Sequence, residues 1–244
     1  MTATDLSVLE PPPELLAWLR AADPVEEIFN HRVTVDLSWW NEALRSHALA
    51  GGPICGYRDG KEVSSGRATI TRADLFRQSA AARETKEGAQ RLLWHSLAWG
   101  SGLKVRKNLQ RMETFSHLPG GGEALVEAAV LAGANPLDAY ERLRPRGVNL
   151  VTHLGPAFFT KFLYFAGGRE PENQSLILDS VVAQALKRRG WSSLRSAGWP
   201  APTYGRYLEL VERWRGSAAD SGAGNSELPR RDLIEKYLFT ADPR

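Results

Sequence analysis

The residues best spaced for chemistry lie between Val151 and Gly168 (VTHLGPAFFTKFLYFAGG) and just beyond it. Val148–Thr152 reads as one helical turn, Gly155-Pro-Ala157 as a tight turn and Phe158–Ala166 as an apolar helix. The whole is a hairpin of helices in which Gly155 supplies the bend. Amide groups after such a bend point outward from a helix N-terminus, a natural site for an anion. About eleven residues past this hairpin, the apolar run Ser175-Leu-Ile-Leu ends in Asp179 at a helix start. A carboxylate so placed either caps its helix or offers negative charge to a reacting centre. Metal chemistry is not expected. His31, His47, His95, His117 and His153 have no partner at ligand spacing and read as ordinary surface or core residues. Cys55 is the single cysteine, which excludes an internal disulfide framework and multi-cysteine zinc or iron–sulfur sites. No metal or cofactor is implied.

Charge adds a direction. The net charge is only +3, yet residues 141–215 carry 12 Lys/Arg against 6 Asp/Glu. A basic segment in a near-neutral chain is the footprint of a phosphate-backbone binder, although a solvated helical face carries the same charges. Eight tryptophans are many for 244 residues, and could fill the core or stack on a base or ring ligand. No stretch approaches the roughly 18 apolar residues of a membrane span, and the N-terminus shows no secretory signal. A soluble, cytoplasmic, monomeric protein is the expectation.

The elements that must position these residues read as mostly α. Pro11–Pro13 open a helix over Glu14–Ala21. Val33–Leu37 alternates like a strand, and Asp36 caps a helix over Ser38–Arg45 that carries Trp39 and Trp40. Residues 50–66 form a loop or short hairpin. Thr71 and Asp74 have capping-box spacing and start a helix to about Ala82. Its Arg72 and Arg77, with Arg67 just before it, have a faint likeness to a DNA-reading helix, against the simpler reading of a solvated amphipathic face. Further helices run over Thr85–Trp99, ending at Gly100-Ser-Gly102, and over Val105–Phe115, displaying Lys104, Arg106, Lys107 and Arg111. Shorter ones follow at Glu123–Ala132, Leu137–Leu143, Ser180–Arg189, Tyr204–Arg215 and Arg231–Phe239, with Asp220–Asn225 as a linker.

Residues 120–215 resemble the helix-hairpin-helix superfamily of DNA glycosylases. That family's hairpin reads Leu-Pro-Gly-x-Gly-x-x-Thr-Ala, with a catalytic aspartate at the start of a later helix. Here His153-Leu-Gly155-Pro-Ala157-Phe-Phe159-Thr160-Lys161 occupies the hairpin, with Gly155 and Thr160 at the family's spacing. Ala157 replaces the second glycine, and Lys161 stands where a small alanine is usual. Trp99-Gly100-Ser-Gly102-Leu-Lys104 is similar to bacterial relatives of the oxoguanine branch. The resemblance implies a helical bundle with a divergent N-terminal part containing little β. Its divisions would be an N-terminal part over 1–100, a helix-hairpin-helix core over 101–215, and a linker with a C-terminal helix over 216–244.

The same resemblance implies an enzyme that flips a damaged or modified base out of double-stranded DNA and hydrolyses its glycosidic bond. Asp179 would stabilise the sugar's oxocarbenium charge and orient water. The setting would be repair, or defence against phage with modified bases. Gly155, Ala157, Phe159, Thr160, Lys104 and Lys107 would contact DNA, and Trp39, Trp40 and Trp99 would line the base pocket. Superfamily members that also cut the backbone use a hairpin lysine that forms a Schiff base. Two registers are open. If Thr160 keeps its family position, Phe159 fills the lysine slot and only the base is removed, which is the preferred expectation. If Lys161 fills the slot, its separation of eighteen from Asp179 matches the bifunctional type. The alternatives from other classes are a non-catalytic DNA-binding module and, more remotely, a helical protein adaptor.

Overall fold

Local capping explains where many of the elements begin. The computed structural model describes residues 5–105, 107–220 and 228–241. Helix α1 (Pro13–Ala21) starts on its prolines, and a five-residue π-turn follows at Val25–Phe29. Strand β1 (Arg32–Asp36) ends at Asp36, whose carboxylate accepts the Trp39 N–H at 3.1 Å and so caps α2 (Leu37–Ser46). Strands β2 (Gly56–Arg58) and β3 (Lys61–Val63) make a short hairpin. β4 (Arg67–Thr71) pairs antiparallel with both β1 and β2, giving the order β1-β4-β2-β3. Val35, Ala68 and Ile70 turn one side of this small sheet into the core.

Thr71 and Asp74 form the expected capping box and open α3 (Arg72–Phe76). The helix expected to reach Ala82 breaks there. At Gln78 the ladder tightens, its N–H reaching back three residues to the Leu75 carbonyl, and a new helix, α4, covers Ser79–Glu84. Thr85 caps α5 (Lys86–Ser101), which is buried on nearly every side and is the central helix. It stops at Gly102, whose φ of 60° and ψ of −132° suit glycine alone. Then come α6 (Asn108–Ser116), α7 (Gly121–Leu131) and α8 (Pro136–Leu143). The last four are α9 (Pro156–Ala166), α10 (Ser180–Arg188), α11 (Ala201–Asp220) and α12 (Arg231–Thr240). The fold is mostly α, and one hydrophobic core runs from Leu6 to Leu238. Helix α9 packs against α3, α4, α5, α7 and α8, and α12 packs against α1, α10 and α11. No helix among the described residues is long and apolar enough to cross a membrane.

The hairpin differs from its expected form. Val148–Thr152 is not helical. A 3-10 turn at Pro145–Gly147 precedes it, and Arg146, Gly147 and His153 all take left-handed backbone angles that break any helix. Gly155 does not make the bend either. It is extended (φ −81°, ψ 176°), and a Cβ there would meet only Asn149 Nδ2 at 3.6 Å. The sharp turn belongs to His153, at φ 65°. Two other expectations change. Arg111 is buried rather than displayed: its Nε donates to the His153 carbonyl at 2.8 Å, bracing that turn. Helix α11 continues through Asp220, and residues 221–225 of the expected linker, like Arg106, lie outside the described residues.

Candidate active site

Asp179 caps α10 as its spacing predicts. Oδ1 accepts the amides of Val181 (3.0 Å) and Val182 (3.2 Å), which leaves Oδ2 to turn toward α9. There it receives the Lys161 Nζ at 3.0 Å, and the same ammonium donates to the Ala157 carbonyl at 2.8 Å. Both side chains are largely removed from water, at 7% and 14% exposure. Burial would raise the Asp179 carboxyl, but the Lys161 charge and hydrogen bond, with the Val182 and Val181 amides, hold it below the ordinary carboxylate range. The acid is therefore an anion across the neutral range, facing an amine.

Two neighbours make this pairing possible. Thr160 lies wholly inside, where its hydroxyl donates to the Pro156 carbonyl at 2.7 Å and accepts the Leu178 amide at 3.2 Å. It thereby pins the strand-like run before Asp179 onto α9. Gly100 in α5 lets the lysine stem through, because a Cβ there would stand 2.8 Å from Lys161 Cδ and 3.2 Å from Cε.

Lys161 and Asp179 line a cavity of about 440 Å³, a size that holds small organic ligands. Trp99 and Phe158 add aromatic surface, and Lys104 and the half-exposed Leu103 stand at its edge. The sheet and the C-terminal helix also reach it. His31, next to β1, lies with its ring 5.1 Å from Trp99, and Glu235 and Phe239 come from α12. Arg72 completes the wall. It is 1% exposed, so it is neither a DNA-reading nor a solvated arginine. Its Nη1 donates to Glu235 Oε2 at 2.9 Å and to the Tyr164 hydroxyl at 3.2 Å.

The sequence-predicted residues divide accordingly. Asp179, Lys161, Ala157, Trp99 and Lys104 meet at the cavity. Lys107 is exposed just before α6, and Gly155 is half-buried ahead of α9. Phe159 and Thr160 are fully buried, so neither can touch a duplex, and Phe159 instead packs on Tyr140 at 4.7 Å. Of the two positions open for the lysine slot, Phe159 faces the core and Lys161 faces the cavity. Trp40 is in the core and Trp39 packs on its edge, 5.2 Å away; neither lines the cavity, because α2 packs on β4 and α6 instead. Glu235 carried no signal in the sequence, and His31 was read there as an ordinary residue. Gly100 was read as the end of its helix, whereas α5 continues through Ser101 and carries Gly100 inside it. Among the described residues no cluster of three or more His, Cys, Asp or Glu could hold a metal ion.

No curated protein and no solved structure matches the chain. A family model does, over residues 26–239, under the description "Putative 8-oxoguanine DNA glycosylase OGG-like protein". The match takes in every residue that lines the cavity, and the chain belongs to this OGG-like family.

Proposed function

We propose that the protein removes an oxidised guanine from double-stranded DNA and then opens the resulting sugar with Lys161. The observation that carries this reading is the 3.0 Å contact between Lys161 Nζ and Asp179 Oδ2 on the wall of the cavity. With a nucleotide extruded into that space, the Lys161 ammonium gives up a proton to water, and the amine so formed attacks C1′. The bond from C1′ to the base nitrogen breaks, and its electron pair leaves with the base, which takes up a proton. Asp179 stabilises positive charge on the sugar as that bond lengthens. Ring opening then gives a protonated Schiff base on Lys161. Loss of a proton from C2′ expels the 3′-phosphate, and water releases the lysine. Lys104 and Lys107 contact phosphates, and Leu103 is an apolar side chain placed to fill the vacated stack.

Borohydride trapping tests the proposal directly. Reduction of the Schiff base should leave the chain covalently joined to a duplex containing 8-oxoguanine, and Lys161→Gln should abolish the adduct. A wild-type protein that releases the base but never crosslinks would return the reading to base removal alone. One that binds the duplex and does neither would be a binding module.

A further inference from the structure

Arg111 carries a charge that the chemistry above does not use, and it is only 4% exposed. A charge so far from water is kept where polar and aromatic groups surround it. Those around Arg111 tie together elements that frame the cavity. Its Nε donates to the His153 carbonyl at 2.8 Å, two residues ahead of the α9 cap. Its Nη1 donates to Asn108 Oδ1, and the Asn108 amide donates in turn to the Ser101 hydroxyl at 3.0 Å, at the end of α5. Its Cζ lies 3.8 Å from the centre of the Phe158 ring, in the first turn of α9. Arg111 thus holds the start of α9 at two points, a backbone carbonyl before the helix and an aromatic ring within it. Phe158 is also the neighbour of the amine. It precedes Lys161 by three residues, so the two side chains share one face of α9. Lys161 Nζ lies 5.9 Å from the centre of the same ring, and both residues line the cavity. A Cβ on Gly100 would stand 2.8 Å from Lys161 Cδ and 4.0 Å from Phe158 Cδ1, so stem and ring lie side by side against α5.

We propose that Arg111 is a positioning residue for Lys161 and acts on it through Phe158. The guanidinium fixes the ring against the turn at His153, and the ring, packed beside the lysine stem, sets where the amine stands over the cavity. Arg111 is too deeply buried to touch a duplex or the sugar, so its effect falls on the rate of the lysine step and not on affinity. This inference rests on the reading of Lys161 as the nucleophile and adds the residue that aims it.

The test uses full-length protein in excess over a duplex that already holds an abasic site, so that no base recognition enters. Strand nicking at saturation gives the rate, borohydride trapping at the end point counts competent molecules, and a duplex with a reduced abasic site, which has no aldehyde, measures affinity. Arg111→Met should lower the nicking rate per competent molecule about 10²-fold with no comparable loss of affinity. Phe158→Leu should lower it about tenfold, and Phe158→Tyr, which keeps the ring face, should retain the wild-type rate. The double variant Arg111→Met with Phe158→Leu should be no slower than Arg111→Met alone, because the two side chains act as one unit. An Arg111→Met protein with fewer competent molecules and a lower melting temperature but an unchanged rate per molecule overturns the assignment, and Arg111 is then a brace for the fold alone. A loss that vanishes at saturation overturns it too, as do additive losses in the double variant or a Phe158→Leu protein that nicks at the wild-type rate. If Arg111→Met does not fold, Phe158→Leu against Phe158→Tyr decides: loss in the first and retention in the second supports the assignment, and any other pair of results overturns it. Wild-type protein that neither nicks nor traps the abasic duplex refutes instead the lysine chemistry on which the assignment rests.

Discussion

Two buried histidines behave oppositely. Burial depresses both imidazoles, His31 to about 3 and His95 to about 4, so each is neutral near pH 7. At His95 every hydrogen-bonding atom is used. Nδ1–H donates to the Arg91 carbonyl at 2.8 Å, and Nε2 accepts the Cys55 amide at 3.2 Å. At His31, Nδ1 has no partner among the described residues, and the ring stands beside Trp99, whose Nε1 is equally bare. Residue type and protonation state do not distinguish them; hydrogen-bond satisfaction does. A satisfied buried group belongs to the scaffold, whereas an unsatisfied one beside the cavity adds no stability of its own.

The largest expected effect at the bare side of this contrast comes from Asp179→Asn. Asparagine caps a helix as well as aspartate, so α10 should remain and DNA affinity should persist. The negative charge beside the sugar is lost, and single-turnover base release should drop by about 10²–10³-fold. Retained release would assign Asp179 to helix capping alone. Gly100→Ala is the next test, and it separates stability from chemistry. Replacing a helical glycine should stabilise α5 by up to about 1 kcal/mol. The new methyl meets the Lys161 stem, the yielding part of a flexible side chain, and pushes the amine away from its place. Base release and adduct formation should fall on the order of 10²-fold while the melting temperature holds or rises. Unchanged turnover would show that the lysine position is less demanding than the Lys161–Asp179 geometry implies.

What could be read in advance divides along the same line, between local and distant relations. Asp36, Thr71 with Asp74, and Asp179 were legible as caps because a cap is written within four residues. Lys161 and Asp179 were visible as candidates for the same reason, each lying in a short pattern. Which of Phe159 and Lys161 faced the cavity was not legible. Helical positions two residues apart point about 200° apart, and a two-residue choice of register decides between core and site. Arg72 and Glu235 are 163 residues apart, and nothing near either one announces the other. Trp39 and Trp40 misled because a large aromatic serves a core as readily as a stacking surface. The expected turn at Val148–Thr152 failed where left-handed residues, one of them the non-glycine His153, were stabilised by contacts as distant as Arg111.

The smallest effect on chemistry is expected at the satisfied histidine. His95 has a folded-state value below its unfolded one, so the unfolded chain takes up a proton first as the pH falls. Its contribution to stability is therefore complete above about pH 6.5 and is lost between there and about 4. The loss amounts to on the order of 3 kcal/mol. Protonation would also put a hydrogen on Nε2, where the Cys55 amide now donates. His95→Gln keeps a donor and an acceptor but cannot be protonated, so the melting temperature of the variant should fall less steeply over that interval. Excision at neutral pH should match wild type, because His95 lies outside the cavity. Lost activity with an unchanged melting profile would reverse the comparison, making the satisfied histidine the functional one.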